Sequence, residues 1–168
     1  MKTYIKFMAA TAAVALALTS QTAMAANSAD ASASASIVSA MTLTKSSDLK
    51  FGNIIASGSA GTVVIGAGAD TAAYNNGASA AVTAGTIARA KFDVTGGAGS
   101  ATTTLSLSAS QITLTSGANS MTVDLVKTAD QALSSGAATY YVGGTLNVGA
   151  NQAVGNYTGT FTATVQYN

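Results

Sequence analysis

Between Tyr157 and Tyr167 the odd positions read Tyr, Gly, Phe, Ala, Val, Tyr, while positions 158, 160, 162 and 164 are all threonine and Gln166 completes the polar side. A two-residue period puts alternate side chains on opposite faces of an extended chain, and a helix cannot satisfy it. The segment 155–167 is therefore predicted as an amphipathic strand, with Tyr157, Phe161, Val165 and Tyr167 inward and a threonine ladder outward. At roughly 25 cal/mol per Å² and about 150 Å² per ring, burying its three rings contributes several kcal/mol.

The same period recurs through the chain, carried by Thr, Val, Ile, Tyr and Phe, with Gly, Asn and Ser clustered between the runs. Strands are predicted near 31–44, 49–55, 61–66, 87–95, 102–108, 111–115, 120–127, 139–148 and 155–167. The segments 66–70 (GAGAD), 74–80 (YNNGASA) and 96–100 (GGAGS) read as turns or loops, with the glycines supplying positive φ. Many short strands joined by glycine-rich turns point to an all-β fold, an antiparallel immunoglobulin-like β-sandwich.

The N-terminus has a different character. Lys2 and Lys6 precede the apolar run Phe7 to Leu18, and Ala23-Met24-Ala25 supplies small residues one and three positions before a cleavage point. This is the pattern of a secretory signal peptide over 1–25, with the mature chain starting at Ala26. A membrane anchor is the alternative reading, but the run is shorter than the roughly 20 residues that span a bilayer. The 143 residues that remain suit a single domain, divided here into an arm over 26–38 and a sandwich over 39–168. They carry five Lys and Arg against six Asp, a net charge of −1, which favours neither nucleic acid nor an anionic membrane as partner.

Composition also narrows the chemistry. The chain has no Cys, His, Glu, Trp or Pro. Without His or Cys, neither a serine hydrolase with a histidine base nor a thiol mechanism can be assembled. Six dispersed Asp residues lack the surroundings of a glycosidase carboxylate pair and the close oxygen spacing of a calcium loop, and zinc has no preferred ligand. The glycine-rich segments lack the Lys-Ser/Thr ending of a phosphate loop. Of the adjacent Tyr140 and Tyr141, one is expected in the core and the other at the surface, because neighbours on a strand face opposite sides. No catalytic, metal-binding or cofactor-binding residue is identified, and no cofactor is expected.

The arm is a run of alternating alanine and serine. If extended, Ala29, Ala31, Ala33, Ala35 and Ile37 share one face, and Ser28, Asp30, Ser32, Ser34 and Ser36 the other. The same composition also fits a disordered linker.

The ending G-N-Y-T-G-T-F-T-A-T-V-Q-Y-N resembles the C-terminal signature of pilus subunits assembled by the chaperone–usher pathway, with Gly155 fourteenth from the end, Tyr167 penultimate and apolar residues alternating between them. A second resemblance spans more of the chain, through Leu49-Lys50-Phe51-Gly52-Asn53-Ile54, Phe92-Asp93-Val94-Thr95-Gly96, Met121-Thr122-Val123-Asp124 and Val142 to Val148. Together these are similar to a family of small secreted bacterial β-proteins catalogued as a domain of unknown function, and they imply a fold but no activity. The pilin resemblance implies an incomplete sandwich that accepts the N-terminal arm of the next subunit by donor-strand exchange. It makes Gly155, Tyr157, Phe161, Val165 and Tyr167 candidates for the subunit and chaperone interface, and Ala29, Ala31, Ala33, Ala35 and Ile37 candidates for the donor strand. The partners implied are further copies of the chain, a periplasmic chaperone and an outer-membrane usher. The location implied is the periplasm in transit and then a surface fimbrium serving attachment. The alternative is a self-complete, monomeric secreted sandwich acting as a surface or adhesin-like binding protein.

Overall fold

A computed structural model describes residues 28–80 and 85–168, and the chain divides into two units, Met1–Ala35 and Ser36–Asn168. The signal peptide expected over 1–25 and the start at Ala26 lie outside the described residues. Residues 28–35, the described part of the first unit, have no regular secondary structure and are exposed.

The second unit contains strands and no helix among its described residues. In chain order they are β1 (Thr42–Ser47), β2 (Lys50–Phe51), β3 (Ile54–Ile65), β4 (Ala72–Ala80), β5 (Ile87–Ala88), β6 (Ala90–Thr95), β7 (Thr102–Leu107), β8 (Gln111–Ser116), β9 (Asn119–Lys127), β10 (Gln131–Ala132), β11 (Ala138–Val148) and β12 (Ala163–Tyr167). Every pairing is antiparallel, as the alternation predicts for a β-sandwich.

The organising element is β11. Its first half, Ala138 to Val142, pairs with β6, which carries β1 on its far side. Its second half pairs with β3 over Gly144 to Val148 and with β9 over Val142 to Asn147, and these strands extend the sheet to β4 and β8. A separate three-stranded sheet runs β10-β7-β12, and β2 with β5 forms a short ribbon.

Because β11 serves two sets of neighbours, it faces two cores. Val63, Ile65, Val123, Leu146 and Val148 pack with Phe51 in one. Phe92, Val94, Leu105, Leu133, Tyr140 and Val142 form the other, between β6 and β11 on one side and β7 on the other. Tyr140 is fully buried and its hydroxyl links the two sheets of that second core. It donates to the Thr103 carbonyl, lies 2.8 Å from the Thr103 hydroxyl and accepts the Gln131 N–H at 3.2 Å. Of the adjacent pair, Tyr141 is therefore the outward one, and its ring is covered by Arg89, 3.8 Å from the ring centre.

Several local expectations are corrected. The run 31–44 is not one strand: residues 28–41 carry no strand, and pairing begins at Thr42, where β6 supplies partners. The segment 74–80 is not a loop but most of β4, whose small residues lie close against β3. A β-bulge there, with Asn76 at φ 54°, absorbs the irregular composition, and the backbone at Gly77 comes so close to Ser59 that no side chain fits. The runs expected at 49–55 and 61–66 become β2 and a continuous β3. In the turn 96–100, Gly96 (φ 79°) and Gly99 (φ 50°) take the positive φ predicted, whereas Gly66 and Gly68 do not. Instead, Arg89 holds the 66–71 turn by donating to the Ala67 carbonyl at 2.6 Å and to Asp70 Oδ1 from its backbone N–H at 2.8 Å.

Candidate assembly seam

The C-terminal segment contains less strand than its alternation suggests. Only Ala163–Tyr167 forms β12, paired with Leu107 to Thr103 of β7. Residues 155–162 instead run along the outer edge of β8. Thr158 and Thr115 exchange backbone hydrogen bonds at 2.9 and 3.1 Å, and the Ser108 N–H donates to the Thr162 carbonyl at 2.9 Å. Gly159 is required by this crossing, since a Cβ there would lie 2.5 Å from the Thr113 carbonyl oxygen.

The interface candidates accordingly separate into two groups. Phe161, Val165 and Tyr167 come together with Ala163, half-buried against the second core. Phe161 meets Phe92 edge to face, with ring centres 6.1 Å apart at 66°. Gly155 and Tyr157 lie elsewhere, beside β8 and the 149–153 turn. A Cβ on Gly155 would press on the Ser116 hydroxyl, and the Tyr157 hydroxyl accepts from Gln152 at 2.7 Å and donates to the Ala153 carbonyl at 2.8 Å. Tyr157 is thus not part of the inward aromatic row the sequence predicts.

Beyond the β7 pairing, no strand pairs the other edge of β12 among the described residues, and β1 likewise has only β6 beside it. Both open edges border the same core, because Met41 and Leu43 pack on the cluster that receives Phe161, Val165 and Tyr167. Tyr167 marks one end of this seam: its hydroxyl accepts the Ala98 N–H at 2.8 Å and donates to the Ser39 carbonyl at 2.7 Å. The sequence gives no signal for the roles of Ser39, Met41 and Leu43, which depend on where the chain passes in space. The donor-strand candidates Ala29, Ala31, Ala33, Ala35 and Ile37 are all exposed and outside any strand, with Ile37 99% exposed.

The outer face of β1 is held by charge and hydroxyl groups. Asp93 on β6 accepts from Ser46 on β1 and from Thr139 on β11 and lies 3.2 Å from Lys91, and these contacts, the Ser46 hydroxyl foremost, keep its carboxyl below the ordinary value. Asp48 is lowered by Lys45, Asp70 by the Arg89 backbone N–H, Asp124 by the Asn147 amide and Asp130 by the Thr104 hydroxyl. Each carboxylate therefore binds its proton more weakly folded than unfolded. The stabilisation is complete above about pH 4, near the ordinary Asp value, and is lost as the pH falls through and below it. Unfolding temperature followed by circular dichroism is expected to be flat from pH 7 to 5 and to fall steeply below 4, with a smaller drop in Asp93→Asn. A flat profile down to pH 2 would contradict this.

Among the described residues no group of three Asp, Glu, His or Cys is placed to hold a metal ion. The arrangement offers two open strand edges over an apolar core, which is chemistry for binding an extended chain. Fold and seam together define a small antiparallel β-sandwich with unpaired edge strands. The chain belongs to the family described as Domain of unknown function (DUF4402), whose pattern matches residues 41–167. No curated protein matches the chain, and no solved structure does.

Proposed function

We propose that the chain is a structural subunit of a fimbria-like surface fibre, in which the N-terminal arm of one copy adds as a strand to the seam between β1 and β12 of the next. The observation that carries this reading is the pairing of an unfilled β12 edge over half-buried Phe161, Val165 and Tyr167 with an exposed, strand-length segment ending in Ile37. Strand addition would satisfy the backbone groups along that edge and cover the aromatic row. The four alanine methyls of the arm add only a few kcal/mol at about 0.8 kcal/mol per carbon, so backbone hydrogen bonds and Ile37 supply the remainder.

The seam also has a polarity. Ser39 lies at the Tyr167 end of β12, so the arm leaves its own subunit from that end. An incoming arm running antiparallel to β12 brings its subunit to the Phe161 end, opposite the exit, and the contact repeats as an open fibre. A parallel arm would place both subunits at one end and close a dimer. Export, a periplasmic chaperone that shields the seam and an outer-membrane usher belong to this proposal, with surface attachment as the role. No catalytic step is assigned.

A second reading, a self-complete secreted monomer acting as an adhesin-like binding protein, draws support from the second core itself. Leu105, Tyr140 and Val142 are already 0% exposed without an added strand. Electron microscopy and sedimentation of the chain from Ala26 separate the two. Fibre assembly requires polymers that vanish on deletion of 26–38, and a deleted protein that binds a peptide of those residues unless Phe161 is changed to Asp. A full-length monomer whose deletion variant melts at the same temperature and ignores the peptide would eliminate it.

A further inference from the structure

The backbone of the C-terminal segment is sided in the same way as its side chains. Thr158 exchanges two hydrogen bonds with Thr115, the Thr162 carbonyl accepts the Ser108 N–H at 2.9 Å, and the Asn168 N–H donates to the Thr102 carbonyl at 3.1 Å. All three are even-numbered residues turned toward β8 or β7. In an extended chain the N–H and C=O of one residue point to one side and those of its neighbours to the other. The odd-numbered residues of 159–167 therefore direct their backbone groups to the open edge.

The same odd positions carry the inward side chains. Phe161, Ala163, Val165 and Tyr167 are half-buried and alternate with exposed threonine, glutamine and asparagine. A strand added at this edge hydrogen-bonds to the odd residues, and its own side chains directly opposite them fall on the core side. In the arm those positions must be the alanines and Ile37, because a slip of one residue would turn the serines and Asp30 onto the apolar row. Parity is thereby fixed, and only steps of two residues are left to choose.

Two observations choose among them. Tyr157 has left the row to bond with Gln152 and the Ala153 carbonyl, so the inward positions start at Gly159. Five odd positions, 159 to 167, then face five apolar arm residues, 29 to 37. The second observation is volume. The core beneath the row is already closed, with Leu105, Tyr140 and Val142 0% exposed, so methyl groups suffice beside the rings. The one bulky arm residue, Ile37, fits the one row position without a side chain. A Cβ on Gly159 would meet Leu114 Cδ2 at 2.8 Å, so a residue opposite that glycine has an apolar neighbour.

From this we infer that the arm of one copy enters the next in a single antiparallel register, with Ile37 opposite Gly159, Ala33 opposite Ala163 and Ala29 opposite Tyr167. The inference rests on the fibre reading above and adds the alignment that sets the subunit repeat. A slide of two residues in one direction brings Ile37 against Phe161, which already packs on Phe92, and carries Ala29 past Tyr167. The opposite slide sets Ile37 beside Tyr157 and leaves Tyr167 uncovered.

The chain has no cysteine, so introduced pairs report the register. Ala163→Cys is combined in turn with Ala31→Cys, Ala33→Cys and Ala35→Cys in the chain from Ala26. Fibres are grown under reducing conditions, checked by electron microscopy, then oxidised and scored for disulfide-linked ladders. Directly opposite residues have Cα atoms about 5.5 Å apart, within disulfide reach, whereas a shift of two residues exceeds about 7 Å, so laddering about tenfold faster with Ala33→Cys is expected. A second series on Val165→Cys should peak at Ala31→Cys, and it decides the matter if Ala163→Cys does not fold. Fibres whose ladders peak at another arm position, or that form no ladder in either series, overturn the register but not the fibre. Absence of fibres from the unsubstituted chain overturns both.

Discussion

Replacing Gly143 with valine is expected to abolish cooperative folding or lower stability by about 4 kcal/mol or more, a loss reserved for severe core disruption. The reason lies in how β11 changes neighbours. It leaves β6 at Val142 and takes up β3 at Gly144, and at the junction the backbone of β3 turns away over it. A Cβ on Gly143 would lie 2.7 Å from the Gly66 carbonyl carbon and closer still to the Ile65 oxygen. Those are backbone atoms, fixed by the β3 ladder and by the Arg89 bond to the Ala67 carbonyl, so neither side can yield. Gly144→Ala is expected to cost less, because its nearest neighbour at 2.7 Å is a Val123 methyl, although Asp124 O follows at 2.9 Å. Urea unfolding of both variants decides the point, and an unchanged midpoint for Gly143→Val would refute this account of the junction.

Two tyrosine-to-phenylalanine changes should act in opposite directions. Tyr140→Phe strips the hydroxyl that accepts the Gln131 N–H and serves the Thr103 carbonyl and hydroxyl in a fully buried position. Leaving those groups without a partner costs about 1–3 kcal/mol. Tyr74 is the converse case, since its hydroxyl is buried against the first core with no hydrogen-bond partner among the described residues. Its desolvation is already paid in the wild type, and Tyr74→Phe should be neutral or stabilising by up to about 1 kcal/mol. Denaturant midpoints measured side by side give the test. Equal losses in both variants would mean that the hydroxyl contacts do not govern either site.

These residues show where the sequence stopped being informative. Alternation identified Phe161, Val165 and Tyr167 as inward-facing, because the face of an extended segment depends only on residue parity. It also placed one of Tyr140 and Tyr141 inside and the other outside, and the packing decided that Tyr140 is the buried one. Parity could not show that Tyr157 would leave the row, since that depends on residues 155–162 passing along β8 before β12 begins. Nor could it show that the chain's one arginine, Arg89, would cover Tyr141 while holding a turn some twenty residues earlier in the chain.

Strand existence followed the same division. Residues 31–41 alternate and form no strand in the described structure, whereas 74–80, rich in Asn, Gly and Ala, form most of β4. The two-residue period, the lack of proline and the glycine-punctuated rhythm determined by themselves that this is an antiparallel all-β protein, because each acts through local backbone geometry. Which segments found partners, why β11 needs two adjacent glycines, and where two strand edges were left open over an apolar core were decided by tertiary structure alone. The hydrogen bonds of a sheet join residues distant in sequence, and no local pattern contains the partner.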